Sequence, residues 1–163
     1  MKKKLFSLCF LLVFSFISCK KGNDQDCDNV TFTKISFATG CTPVIVDHTT
    51  TDMLLVIRSI GELKASLSFE NSIGIASCGI DHPIFKTDFS KSSIIIIKKQ
   101  VQGIEPALIK QSLIRNCKDN SFTYNAEIKN GGYTAIGNYI GAIIIDKLPK
   151  NIKVDFNVRV LKE

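Results

Sequence analysis

Four consecutive isoleucines, Ile94–Ile97, constrain this chain more than any other feature in it. A strand with one wet face alternates apolar and polar residues. An unbroken branched run therefore points to a central strand covered on both faces, or to one that drifts from edge to core. Ile143–Ile145 repeats the feature later in the chain. Isoleucine makes up 22 of the 145 residues from Cys19 onward, and branched side chains suit a pleated, half-buried surface. Lys98-Lys99, directly after the run, act as gatekeepers against aggregation of so apolar a segment.

Period-two alternation supplies two further strands. Phe122, Tyr124, Ala126 and Ile128 face one way, against Thr123, Asn125, Glu127 and Lys129. Ile152, Val154, Phe156, Val158 and Val160 alternate with Lys153, Asp155, Asn157 and Arg159. Both read as strands with one face on a core and one in water. Between them Asn130-Gly131-Gly132 predicts a hairpin, since the primed turns need positive φ, and Pro149-Lys150-Asn151 predicts the next turn. Other expected strands are Val30–Phe37, Pro43–Asp47, Met53–Arg58, Ser72–Ala76, Ser93–Val101 and Pro106–Ile114.

Met53, Val56, Ile57, Ile60, Leu63 and Leu67 keep helical spacing, which would fit one helix over 52–67. Leu54-Leu55-Val56-Ile57 is instead continuous and largely branched, and Ser59-Ile60-Gly61-Glu62 fits a capping box with Ser59 as N-cap. The preferred reading is a strand over 53–58 followed by a short helix over 60–67. The expected class is mostly β: a small β-sandwich or a β-rich α+β domain with one short helix. A chain of 163 residues with 22% charged side chains is one domain's worth of sequence and is not of disordered composition.

Lys2, Lys3 and Lys4 followed by the apolar stretch from Leu5 to Ile17 form a secretory signal, too short for a membrane-spanning helix. The stretch closes on Phe16-Ile17-Ser18-Cys19-Lys20-Lys21. A small residue directly before a cysteine resembles the lipobox of bacterial lipoproteins. Phe16 departs from the aliphatic residue usual at its position, a departure shared by many envelope lipoproteins of Bacteroidota-type bacteria. The resemblance implies cleavage before Cys19, a diacylglycerol on its sulfur and further acylation of its amine, hence a membrane anchor. The chain then divides into a signal peptide over 1–18, a polar tether over 19–29 and a single β-rich domain over 30–163. In that resemblance Asp24, Asp26 and Asp28 just after the anchor are loosely associated with the outer face. The expected location is the outer membrane, on its periplasmic or its surface side.

Cleavage removes three lysines and lowers the side-chain charge from +6 to +3. The longest basic runs are the pairs Lys20-Lys21 and Lys98-Lys99, and no base-reading motif accompanies them, so nucleic-acid binding is excluded. Cys9 leaves with the signal and Cys19 takes the lipid. Cys27, Cys41, Cys78 and Cys117 remain, an even number in an exported chain, which predicts two disulfides. Three pairings are possible. Cys27–Cys41 with Cys78–Cys117 is preferred because each bridge would tie a loop to a strand end.

A metal site would need the same cysteines with His48 and His82, each histidine following an aspartate (Asp47, Asp81). No CxxC, HxxxH or HExxH is present, so neither metal nor cofactor is expected. No phosphate-binding glycine loop or nucleophile elbow occurs either. Adjacent Asp47-His48 would face opposite sides of a strand, and Asp81-His82-Pro83 reads as turn chemistry. Glu62, Glu70, Glu105 and Glu127 show no spacing that defines a glycosidase pair. Tyr124, Tyr133 and Tyr139 with Phe122 could form an aromatic platform for a sugar, or belong to the core.

A strand ending in Ser59, a short helix with Glu62-Leu63, Asp88-Phe89-Ser90-Lys91-Ser92 leading into an isoleucine-rich strand, and Lys147-Leu148-Pro149 before a closing strand together resemble small exported domains. These are related to the C-terminal domain of the protease-complex subunit PrcB. Their Gly-Gly-Tyr occurs here as Gly131-Gly132-Tyr133. The resemblance spans about residues 53–161 and implies a non-catalytic partner of an envelope protein. The expected function is therefore that of a binding or accessory subunit without enzymatic activity. A glycan- or small-ligand-binding module is the alternative, and an enzyme using His48 or His82 the third reading. The oligomeric state is open.

Overall fold

The computed structural model describes residues 27–37, 41–46, 52–71 and 82–161. The isoleucine run forms the centre of β6 (Ser92–Ile104), which pairs antiparallel along its length with β9 (Gly132–Asp146). Short strands flank this pair: β2 (Thr33–Ile35) beside β9, and β4 (Met53–Ile57) beside β6. A second sheet contains β1 (Cys27–Asn29), β7 (Ala107–Asn116), β8 (Ser121–Lys129) and β10 (Val154–Leu161) in the order β1-β7-β8-β10. A ribbon of β3 (Cys41–Ile45) and β5 (Leu67–Asn71) adjoins α1 (Ile60–Ser66).

The β2-β9-β6-β4 sheet is the middle of three layers. Ile95, Ile97, Ile143 and Ile145 pack against Leu113, Phe122, Tyr124 and Ala126 of the second sheet. Ile94, Ile96 and Ala142 point the other way, onto Leu63 of α1, Leu67 and Ile45 of the ribbon, and Ile84. All four isoleucines of the run are at most 1% exposed. The non-alternating pattern thus reflects a strand covered on both faces, the first of the two sequence readings. Each such side chain contributes about 1.5–3 kcal/mol on burial.

The strand and capped helix divide as expected at Arg58-Ser59. The Ser59 hydroxyl accepts from the Glu62 amide at 3.1 Å. Glu62 reaches back to the Arg58 amide at 2.6 Å, one residue earlier than a regular capping box. The expected strand over 30–37 shrinks to three residues because the chain leaves the sheet to insert Phe37 under the third layer. β5 follows α1 directly, a strand the helical spacing of Leu63 and Leu67 concealed. Ser72–Ala76 lies outside the described residues.

The hairpin expected at Asn130-Gly131-Gly132 is not one. β8 belongs to the outer sheet and β9 to the middle sheet, so this segment is a corner where the chain changes layer. The glycines serve close backbone approach instead of a tight reversal. A Cβ on Gly131 would lie 1.8 Å from the Ile104 carbonyl oxygen, and one on Gly103, at φ +88°, would lie 2.2 Å from that of Gly131. The true hairpin joins β7 and β8, where Asn120 adopts φ +54° and Asp119 accepts from the Ser121 amide at 3.1 Å. Because β9 intervenes in another layer, β10 returns parallel to β8 in continuous register from Val154↔Phe122 to Leu161↔Lys129.

Ile95→Ala and Ile143→Ala are each expected to cost about 2–5 kcal/mol, and Gly131→Ala about 1–3 kcal/mol, in denaturant unfolding. A cost below 1 kcal/mol for both isoleucine variants would contradict a two-faced central sheet.

Candidate functional site

His82 is 4% exposed and caps the turn Pro83–Lys86, its Nδ1 accepting from the Ile84 amide at 3.3 Å. The ring lies 5.5 Å from Phe37 and 5.0 Å from Phe69, which itself meets Phe85 edge-on at 5.8 Å. Burial holds the imidazole pKa below its ordinary 6.5, while a hydrogen bond with the Ser36 backbone pulls the other way. This is a buried histidine built into an aromatic cluster. Among the described residues no group of three His, Cys, Asp or Glu could hold a metal. His48, Asp47 and Asp81 lie outside the described residues, as do Cys19 and Cys78.

Of the two readings open for the tyrosines and Phe122, an aromatic platform or the core, the structure gives mainly the core. Tyr124 and Phe122 point inward, as their alternation with polar residues requires, and pack in the core with the half-buried Tyr139. The Tyr124 hydroxyl donates to Gln111 Oε1 at 2.6 Å. Burial pushes the Tyr139 hydroxyl up to about 12 and that of Tyr124 higher still, so both stay protonated at neutral pH. Only Tyr133 is open, at 84% exposure.

The segments carrying the sequence resemblance meet in space, and their contacts are structural. Lys147 donates from Nζ to the carbonyls of Arg58 at 2.6 Å and Phe89 at 2.5 Å, and its amide donates to the Lys91 carbonyl. The Leu148 amide donates to the buried Ser93 hydroxyl at 3.0 Å. Asp88 accepts from both the amide and the hydroxyl of Ser90, which holds its carboxyl below the usual range. Glu62 is occupied by the helix start, and Glu105 sits at a corner with φ +60°.

Two further surface features among the described residues bear on recognition. On the outer face of the second sheet, three strands align Lys110, Glu127 and Arg159 in one row and Ser112, Asn125 and Asn157 in the next. Together they line an open polar hollow of about 310 Å³. At one end of the molecule, around the Glu105-Pro106 and Asn130-Gly131 corners, Ile104, Ile109, Tyr133 and Ile136 are 55–84% exposed. Among the described residues the only other exposed large hydrophobics, Val46 and Ile60, are less open, at 49% and 41%. β1 pairs with the far end of β7, at Ile114 and Arg115, so the apolar end lies opposite the point where residue 27 enters the domain. Sequence patterning missed this end because apolar strand residues read as core. The available signal was the absence of any charge from Gly132 to Ile145.

No family model matches the chain, and no match is found among curated proteins or solved structures.

An unfolded chain protonates His82 near pH 6.5, whereas the folded protein resists until lower pH. Stability from the neutral ring is therefore complete above that value and is lost as pH falls through the lowered folded pKa. His82→Phe is expected to flatten the stability profile as pH falls below about 6.5. An unchanged slope in that window would contradict burial of the neutral ring.

Proposed function

We propose that the chain is a lipid-anchored protein of the bacterial outer membrane, on its periplasmic or surface side. In this reading it acts as a non-catalytic binding or accessory subunit of another envelope protein. The observation that carries the proposal is the apolar end: Ile104, Ile109, Tyr133 and Ile136 stand in water at the end opposite the tether. Clustered exposed apolar side chains mark an interaction surface, and a domain held at one end presents the other to partners. The resemblance of Asp88–Ser92 and Lys147–Pro149 to PrcB-related domains supports the same role, with Cys19 as the lipidated residue.

Export supports disulfides among Cys27, Cys41, Cys78 and Cys117. The strand register favours a different partner for Cys27 from the one preferred for tying loops to strand ends. Cys27 lies across from Arg115, two residues from Cys117, whereas Cys41 lies across from Asn71 in another layer. A Cys27–Cys117 bridge would fasten the tether to the end of β7.

The polar hollow favours a second reading, a module for a small polar or glycan ligand. Glu127 between two cations, beside two amides and a hydroxyl, offers both donors and acceptors.

Metabolic labelling with palmitate is expected to mark the full chain, and Cys19→Ser to abolish the label. Peptide mapping without reductant is expected to recover the Cys27 and Cys117 peptides joined, and their recovery apart would refute that pairing. In crosslinking pull-downs from intact cells, Ile109→Glu with Tyr133→Glu should lower recovery of the envelope partner about tenfold or more. Undiminished recovery would count against the apolar end, and loss only with Glu127→Gln and Arg159→Ala would favour the polar hollow.

A further inference from the structure

Among the described residues, the far edge of β9 is paired over only three positions. Thr33, Lys34 and Ile35 of β2 lie opposite Ile144, Ile143 and Ala142. β2 then ends, because Phe37 turns into the aromatic cluster against His82. Among the described residues no strand continues along β9 from Gly141 back to Gly132.

The hydrogen-bond phase of this stretch follows from its partner. The Gln100 amide donates to Asp52 Oδ1, on the side of β6 away from β9. Gln100↔Asn138 is therefore the kind of antiparallel pair that shares no hydrogen bonds. The backbone N–H and C=O groups of Asn138, and by alternation those of Ile136 and Ile140, point to the open edge. Ala142 and Ile144, two and four residues beyond Ile140, are in the same phase and lie opposite β2.

Other edges of the two sheets are guarded. β10 carries Asp155 and Arg159, with Lys153 paired to Asp155 at 2.8 Å. β4 is five residues long, and Asp52 at its start takes up the next β6 amide and Lys99. β9 has none of this: its fourteen residues from Gly132 to Ile145 hold no charge. Ile136, beside the open groups, is 75% exposed. A long uncharged edge is a template for another strand.

We propose that this edge binds an extended, uncharged segment of another polypeptide, which adds to the middle sheet as an antiparallel strand in line with β2. The proposal rests on the envelope-subunit reading above and names how that subunit holds its partner. The tether selects this occupant over a second copy. Two identical β9 edges joined about a two-fold axis run antiparallel, which sends their β1 ends in opposite directions along the strand. The eight residues from Cys19 to Asp26 reach at most about 29 Å, whereas β9 is about 50 Å long. Two copies on one membrane could pair only by lying flat, and a segment of a different protein meets no such restriction. Backbone bonds to Ile136, Asn138 and Ile140 supply the affinity, and small or apolar side chains suit a strand bearing Gly137, Tyr139 and Gly141.

The test uses the full lipidated chain in intact cells, with a benzoylphenylalanine photo-crosslinker at Ile136 and a control position at the exposed Lys64 of α1. The expected product joins Ile136 to a single other polypeptide, within an uncharged segment found by mass spectrometry. Asn138→Pro removes an N–H that points to the open edge and spares the bonds to β6. Asn138→Lys keeps the backbone intact and adds a charge. Both are expected to reduce the product at least tenfold. A product containing only this chain, a product indifferent to both Asn138 variants, or the absence of any product above the Lys64 control would each overturn the proposal. Palmitate labelling of the same cells separates the two readings: label without product refutes the strand addition alone, and product without label refutes the anchor alone.

Discussion

Everything else in this protein is arranged around a pair of strands with no wet face at its centre. Ile94–Ile97 of β6 and Ile143–Ile145 of β9 can be buried only if both sides of the middle sheet are covered. The second sheet covers one side, and α1 with the β3–β5 ribbon covers the other. That requirement explains the topology. The chain must leave the outer sheet after β8, cross at the Gly103–Gly131 contact to lay down β9, and return for β10. A simple meander would leave one row of isoleucines in water, at about 25 cal/mol for each Å² exposed.

Much of this fold was legible in the residues. Alternation in 122–129 and 152–160 gave strands with the correct inward faces, and the Ser59 cap separated β4 from α1. What stayed hidden depended on contacts distant in sequence. Asn130-Gly131-Gly132 has the composition of a hairpin turn, and only the proximity of Ile104 and Gly103 reveals a crossing between layers. β2 is short because Phe37 finds aromatic partners, not because its own residues disfavour a strand.

The candidate site was less legible for the same reason. Three residues with chemical appeal in the sequence turn out to serve the frame. His82 fills an aromatic cluster, Tyr124 bonds to Gln111 within the core, and Lys147 ties Arg58 to Phe89. The features left for recognition carry little chemistry of their own: exposed isoleucines, one open tyrosine and a strand edge. An edge is a property of pairing, so Gly132–Gly141 looks like any buried strand until the lack of a neighbour among the described residues is seen. The two halves of β9 thus have opposite roles, one locked between layers and the other held out beyond them.

Residue-resolved hydrogen exchange on the isolated domain tests that division most directly. Amides of Ile94–Ile97 and of Ile143–Ile145 are expected to exchange only through global unfolding, while those of Ile136, Asn138 and Ile140 exchange within the folded state, faster by orders of magnitude. Equal protection along the whole of β9 would mean that its outer edge is already covered, and would contradict a central sheet that ends in an open strand.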